Sequence, residues 1–453
     1  MDKVSSVILA AGKGSRLNCD IPKPLLPVCG KNMLDFVIEA VSLRDTAKVT
    51  LVLGHEKQKI VSVYENKVCE IVTQEQQLGT GHAVMSYLEQ TKTDSKYILI
   101  ACADTPLLTR DILEHFFNQV ESKDLDAGVL TFEAKDPTGY GRIHKYKKGL
   151  SIVEEKDTST DQKKITECNS GIYIFKRLFI EKMVKNLDTK NSQNEFYLTD
   201  VFKENLNVES FGIENGESTL MGVNDLIQLS LVESLLNKKK VQQLQRQGVL
   251  FRDPSSCLIS IDCLIGPGTV VGRNVELRGK CTIGKGCLID SGTIITDSII
   301  GDETSVLPNS IIELSEVKEN ASVGPFARLR PATLIHSNAK IGNFVEVKKS
   351  QIFDGAKVSH LSYVGDSEIG KNTNIGCGFI SCNYDGKNKH KTVIGENCFI
   401  GSDSQTVAPV NIGNNCFVAS STTVTTDMPD GSFGISRSKL NIKNGMASKF
   451  IKK

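Results

Sequence analysis

Residues 265–295 read IGPGTVVGRNVELRGKCTIGKGCLIDSGTII and place an aliphatic side chain every sixth residue: Ile265, Val271, Leu277, Ile283, Ile289 and Ile295. After a slip the pattern resumes at Ile300, Val306 and Ile312, then at Val323, Leu329, Ile335, Ile341, Val347 and Phe353. It returns at Ile394, Ile400, Ile412, Val418 and Val424. Glycine often follows the aliphatic residue, as at Gly266, Gly284, Gly342, Gly376 and Gly401. A hexapeptide period specifies a parallel β-helix, in which each repeat supplies one short strand and one turn. Every sixth aliphatic points inward, and glycine fits the tight corner. The polar run Cys382-Asn383-Tyr384-Asp385-Gly386-Lys387-Asn388-Lys389-His390 breaks the period and is expected to leave the coil as a loop. Loops on rigid scaffolds commonly carry function.

Upstream, Asn224 or Asp225 can cap a helix that opens with Leu226, carries Leu229, Val232, Leu235, Leu236, Val241 and Leu244 near helical spacing, and ends at Gly248. Such a helix would be roughly 35 Å long, a rod joining two domains. Before it, from residue 4 to about 222, strand-like runs (Val7–Ala10, Val49–Leu53, Tyr97–Ala101, Gly128–Phe132, Gly171–Phe175) alternate with amphipathic stretches such as Leu34–Val41 and Ile112–Val120. That alternation predicts a mostly parallel α/β sheet covered by helices.

A chain of 453 residues exceeds one ordinary core, and 40% hydrophobic with 24% charged residues is a globular composition. The net charge of +1 gives no electrostatic reason to expect nucleic acid or a membrane surface as partner. No run of about 18 apolar residues could span a bilayer, and the N-terminal apolar patch reads as a buried strand rather than a targeting signal. Thirteen cysteines without C-x-x-C pairs, some beside repeat glycines (Cys287, Cys377), read as reduced, packed thiols of a cytoplasmic protein.

Chemistry-bearing residues gather in two places. Leu9-Ala10-Ala11-Gly12-Lys13-Gly14-Ser15-Arg16 follows the first strand, where small residues let backbone N–H groups approach phosphate oxygens while Lys13 and Arg16 add charge. It is neither a P-loop nor a complete dinucleotide fingerprint. Lys23 stands in the rigid frame Pro22-Lys23-Pro24, and Gln74–Gly81 (QEQQLGTG) forms a second small-residue loop whose amides suit a base edge. Asp104 ends an apolar strand, where α/β sheets place ligand groups, and its carboxylate suits Mg²⁺.

The set LAAGKGSR, PK, QLGTGH, ADTP, DPTGYGRI, VEEKD, NSGIY and EFYLTD resembles the sugar-1-phosphate nucleotidyltransferases. Within them it is similar to the bacterial bifunctional enzymes that acetylate glucosamine 1-phosphate and uridylylate the product. The resemblance runs nearly to Arg437. It implies a Rossmann-like α/β nucleotidyltransferase domain at 1–223, a linker helix at 224–248 and a left-handed β-helix acetyltransferase domain at 249–453. It implies UTP and UDP-sugar contacts at Leu9, Ala10, Ala11, Gly12, Lys23, Gln74, Gly79, Thr80, Gly141, Glu154, Asn169 and Asn224. Asp104 and Asn224 would hold Mg²⁺. The sugar phosphate would attack the α-phosphate of UTP, with Lys23 and Arg16 neutralising charge. Cys102-Ala103 stands where the family often has tyrosine and glycine. Preference for N-acetylglucosamine rests on DPTGYGRI and NSGIY.

Further along, Arg328 and Arg330 occur in GPFARLRP, and the six-residue count places Lys348 and Lys349 two coils later. Arg330 with Lys348 suits a phosphate, and His360 suits the base that deprotonates an attacking amine. The segments GPFARLRP, GNFVEVKK, SHLSYVGD and SCNYDGKNKHKT resemble the acetyltransferase half of the same enzymes. They imply glucosamine-1-phosphate contacts at Arg330, Lys348, Tyr363 and Asn374. Acetyl-CoA contacts are implied at Cys377, Asn383, Tyr384, Ser402, Ser420 and Arg437. A homotrimer with shared acetyltransferase sites is also implied. Cys377 replaces a usual alanine, Ser420-Ser421 a small Ala-Gly pair, and the basic tail after Arg437 matches poorly. The competing reading is a nucleotidyltransferase whose β-helix only trimerises or regulates it. A non-enzymatic binding protein is disfavoured by Lys23, Asp104 and Asn224 standing together.

Overall fold

The structure, a computed structural model, describes residues 4–12, 17, 19–43, 46–65, 69–204 and 206–451. It divides into two compact units, Met1–Leu236 and Asn237–Lys453.

In the first unit the strands of the main sheet are β1 (Val4–Ala10), β2 (Thr46–Leu53), β3 (Cys69–Thr73), β4 (Tyr97–Cys102), β5 (Ala127–Glu133), β6 (Arg142–Lys145), β7 (Leu150–Val153), β8 (Glu167–Lys176) and β9 (Val208–Gly212). The sheet runs β9-β5-β8-β4-β1-β2-β3, with β6 and β7 attached beside β8. β1 pairs in parallel with both β2 and β4, and β8 runs antiparallel to β4 and β5. All five strand-like runs read from the sequence fall inside these strands.

Successive side chains of β1 enter opposite cores, Val4 and Ile8 on one face and Val7 on the other. Helices α1 (Met33–Val41), α2 (Lys57–Tyr64) and α4 (Arg110–Ser122) pack on the first face, and α3 (Thr80–Gln90) and α5 (Arg177–Met183) on the second. Burial on both faces explains why β4 and the second half of β1 are continuous apolar runs. The chain leaves β1 toward β2 on one side and returns to β4 on the other. A crevice therefore opens beyond the carboxyl ends of these strands.

Helix α6 (Leu226–Arg246) crosses the boundary between the units. The capping question resolves in favour of Asp225. Its Oδ1 accepts the Gln228 N–H at 2.8 Å, while Gln228 Oε1 accepts the Asn224 N–H at 2.6 Å. Gly248, with φ of +92°, takes the left-handed turn after the helix. Leu226, which opens the helix, is 49% exposed, and full burial along the apolar stripe begins at Val232.

The second unit is a left-handed β-helix built of three stacked sheets of eleven, ten and nine strands. Partners along a sheet are a coil apart, as in Val271↔Ile289 and Leu277↔Ile295. The inward residues Val271, Ile289, Ile312, Val323, Leu329, Ile341 and Val347 are fully buried. Phe353 departs from the expected column. The period shortens by one residue there, so Ile352 takes the inward place, and Phe353 stacks outside on His336 at 4.6 Å. Glycine after an inward aliphatic answers to coil-on-coil contact. A Cβ on Gly266 would lie 2.6 Å from the Lys285 nitrogen of the next coil.

Cys287 is buried as expected, whereas Cys377 is half-buried because its corner faces outward. Twelve cysteines among the described residues are free thiols. The polar run leaves the coil as read: Ser367 pairs with Thr392 and Cys382 with Val407, and the residues between 382 and 392 project as a loop. No helix among the described residues is long and apolar enough to cross a membrane.

Leu329 is fully buried and Arg328 beside it is exposed. Leu329→Ala should therefore cost about 2–5 kcal/mol, and Arg328→Ala less than about 0.5 kcal/mol. Urea denaturation midpoints of the purified variants will show the contrast.

Candidate active sites

β1 and β4 end side by side, tied by the Ala103 N–H donating to the Leu9 carbonyl at 3.1 Å. Beyond them opens a cavity of about 520 Å³ lined by Leu9, Ala10, Ala11, Gly12, Lys23, Gln74, Gly79, Thr80, Asp104 and Asn224, among others. Ten of the expected nucleotide and metal residues thus converge on one crevice. Arg16, with Lys13, lies outside the described residues.

Asp104 and Asn224 meet because the Val223 N–H donates to the Asp104 carbonyl at 2.9 Å. Lys23 Nζ lies 2.5 Å from Asp104 Oδ2 and 3.3 Å from Asn224 Oδ1. An ammonium therefore bridges one carboxylate and one amide oxygen, two hard donors. Among the described residues no group of three or more His, Cys, Asp or Glu side chains could hold a metal. A hard cation at this place would draw its remaining ligands from phosphate oxygens and water, which suits so sparse a protein donor set.

Two glycines of the site differ in kind. A Cβ on Gly12 would meet nothing within 4 Å, so its bareness leaves room in the cavity. Gly79 has φ of +106°, and a Cβ there would sit 2.6 Å from the Phe196 carbonyl oxygen. Gln74 is buried, its Nε2 3.0 Å from both the Gly79 carbonyl and His82 Nδ1. The Thr80 hydroxyl accepts the Leu198 N–H at 3.1 Å.

Gly141, Glu154 and Asn169 form a second cluster in the same unit, outside the lining of that cavity. The Asn169 N–H donates to the Gly141 carbonyl at 2.9 Å, and a Cβ on Gly141 would lie 3.6 Å from Glu154 Oε2. Glu154 accepts from the Thr199 hydroxyl at 3.0 Å. Burial, followed by the carboxylates of Asp200, Asp157 and Glu195, raises its pKa above the ordinary value despite Thr199. Cys102 links the two clusters. Burial, then Asp104, pushes its thiol up to about 12, so it stays neutral. Gln77 and Glu195 line the cavity although sequence reading assigned neither; both sit inside motifs that pointed there.

On the β-helix, Arg330 and Lys348 lie on successive coils, one step apart instead of the two expected. A coil here is three hexapeptides, and Arg328 and Glu346 pair across the same two strands. Arg330 Nη1 is 2.8 Å from Glu346 Oε1, and Glu346 stands opposite Tyr363 in the next coil. The Lys389 ammonium in the loop, with Arg330 beyond it, lowers the pKa of Lys348 below the ordinary lysine value. Three cations therefore crowd one spot, a field that favours a phosphate dianion. Lys389 was missed because a lysine in a polar loop carries no periodic signal.

His360 is exposed at the end of the strand Lys357–His360, its Nδ1 2.7 Å from Asn343 Oδ1. Asn374 lies on the neighbouring strand of that sheet, opposite Lys357. Asn383 is buried and donates from Nδ2 to Asp366 Oδ2 at 2.5 Å, while Tyr384 is exposed and donates to the Gly386 carbonyl. The loop is braced by Asp385, whose carboxyl is lowered to about 2 by the Asn388 N–H, then His390 and the Lys387 N–H. Cys377, Ser402 and Ser420 stack at one corner of successive coils. The Asp403 N–H donates to the Cys377 carbonyl at 2.7 Å and the Ser421 N–H to the Ser402 carbonyl at 2.8 Å. Arg437 lies exposed beyond the last coil.

Against known proteins, the MobA-like NTP transferase domain matches residues 6–163, the GMPPB C-terminal domain residues 311–384, and the bacterial transferase hexapeptide (six repeats) residues 391–426. A relative from Listeria monocytogenes serotype 4a, "Bifunctional protein GlmU", is 41% identical over 99% of this chain and 98% of its own length. The protein of that name from Clostridioides difficile is 42% identical over 98% and 97%, and that from Pelobacter propionicus 40% over the full length of both. The chain belongs to the bifunctional GlmU family. As a GlmU-family enzyme it is a bifunctional transferase, with a nucleotidyltransferase in the first unit and a hexapeptide acetyltransferase in the second.

Two outcomes follow from this geometry. Gly79→Ala should cost about 1–3 kcal/mol in a thermal melt, whereas Gly12→Ala should melt like the parent and show a raised KM for nucleotide. Because the folded pKa of Glu154 lies above 4.5, folding pays a penalty for its charge that grows as pH rises from 4.5 and is complete above the folded pKa. Glu154→Gln should therefore raise the thermal midpoint at pH 7.5, with the difference vanishing below pH 4.5.

Proposed function

We propose that the chain acetylates glucosamine 1-phosphate with acetyl-CoA on the β-helix. It then joins the N-acetylglucosamine 1-phosphate to uridylate from UTP in the N-terminal domain, giving UDP-N-acetylglucosamine and pyrophosphate. The domains run 1–223 and 249–453, with 224–248 as the linker. The exposed imidazole of His360, on a β-helix that also carries a cluster of cations, supports the reading, because a β-helix that only trimerised the enzyme would need neither.

In the acetyl transfer, Arg330 and Lys348, with Tyr363 and Asn374, hold the sugar phosphate. His360 removes a proton from the amine as it attacks the thioester. Asn383, Tyr384, Cys377, Ser402, Ser420 and Arg437 seat acetyl-CoA. In the uridylyl transfer, Leu9, Ala10, Ala11 and Gly12 offer backbone to the phosphates of UTP, and Gln74, Gly79 and Thr80 face the uracil. Gly141, Glu154 and Asn169 orient the acetylamino sugar. Asp104 and Asn224 would hold Mg²⁺, which supplies charge neutralisation on the phosphates when bound. Lys23 and Arg16 add positive charge where the sugar phosphate meets the α-phosphate, so alignment and electrostatics perform the step without a protein nucleophile.

A homotrimer fits the flat faces of a β-helix, and a cytoplasmic setting fits the free thiols and these substrates. His360→Ala should cut acetyl transfer by about 10²–10⁴-fold and spare uridylyl transfer. Asp104→Ala should do the reverse. Product analysis by mass spectrometry of reactions with glucosamine 1-phosphate, acetyl-CoA, UTP and Mg²⁺ distinguishes them; equal loss of both activities in either variant would refute separate sites.

A further inference from the structure

We propose that Asn343 is the positioning residue that fixes the tautomer of His360 for acetyl transfer, an inference that rests on His360 being the base. The strands Lys340–Asn343 and Lys357–His360 are parallel neighbours, and Asn343 stands opposite His360 in their register. The side chains meet at 2.7 Å, Asn343 Oδ1 to His360 Nδ1. An amide oxygen only accepts, so the hydrogen sits on Nδ1 and the lone pair is left on Nε2. Asn343 is itself held, because its backbone carbonyl accepts the Leu361 N–H at 3.1 Å. The imidazole is otherwise exposed, and this contact is what ties it to a rigid coil.

The chemistry needs that arrangement. The amine nitrogen attacks the thioester carbonyl, a C–N bond forms, and Nε2 takes the N–H proton. The C–S bond then breaks, and the departing thiolate receives the proton from the imidazolium, which restores neutral imidazole. With the other tautomer, Nε2 would carry a hydrogen and could not accept. A neutral amide orients the ring without the added negative charge of a carboxylate, which would hold the proton on the imidazolium and oppose its return to the thiolate.

The ionisable groups on the packed elements are few. Lys340 and Lys357 lie at the far ends of the two strands, and Cys377 is on the next coil. Glu346, three residues past Asn343, is engaged by Arg330 at 2.8 Å.

The test measures acetyl and uridylyl transfer by Asn343→Ala and Asn343→Asp across pH, with His360→Ala alongside. Asn343→Ala should lower the kcat of acetyl transfer about 10–100-fold, leave both KM values within about twofold, and spare uridylyl transfer. Asn343→Asp, nearly the same shape, should move the acid limb of the kcat profile to higher pH, because a carboxylate favours the imidazolium. An Asn343→Ala enzyme with unchanged kcat, or an Asn343→Asp acid limb that does not move, overturns the proposal. So does a loss in Asn343→Ala shared equally by uridylyl transfer, which would mark a merely structural role. If His360→Ala keeps acetyl transfer, the base assignment itself has failed. If His360→Ala is inactive while Asn343→Ala is fully active, only the positioning role has failed.

Discussion

The β-helix exists because each coil must lie directly on the one before it. Backbone hydrogen bonds and a column of inward aliphatic residues set that stacking, and any residue displaced by one position would turn its side chain to the opposite face. This constraint also gathers the residues of the proposed acetyltransferase site. Arg330 lies under Lys348, Asn343 under His360, and Cys377, Ser402 and Ser420 share a corner because register places them there. The seven-residue excess of the loop between 382 and 392 is the one tolerated interruption in this stretch, and it delivers Lys389 and Tyr384 to the same region.

The first unit solves its problem differently. A doubly covered sheet leaves free backbone only at strand ends, so a crevice with backbone groups suited to phosphate arises where the path from β1 divides toward β2 and β4. Glycine serves two separate purposes there: Gly12 keeps space open, whereas Gly79 allows a backbone turn that no other residue could make against Phe196. The Lys23 ammonium bridging Asp104 and Asn224 shows that the site already holds a cation-shaped arrangement of oxygens.

Function is held at some cost to stability in both units. Glu154 is half-buried among like charges, and Lys348 sits beside two other cations. Neither arrangement would persist for packing alone, since burial and repulsion each disfavour the charged form. Such frustration is relieved when a ligand of complementary charge or hydrogen-bonding capacity arrives, which is how a preorganised site prefers its substrate.

The sequence by itself determined the β-helix, the expelled loop, the α/β alternation and the joining helix, because each is a periodic or local signal carried by neighbouring residues. It also pointed to the glycine loop, Lys23, Asp104 and His360 through short motifs of distinctive chemistry. Only the tertiary structure decided which residue partners which. Ile352 instead of Phe353 faces the core, since a one-residue slip in the period is settled by packing and not by spacing. Asp225 rather than Asn224 caps the helix, while the Asn224 amide oxygen lies 3.3 Å from the Lys23 ammonium that Asp104 also engages. Asn343, Lys389 and Thr199 gained their roles from contacts across coils or strands far apart in the chain, and no local pattern announces a long-range contact.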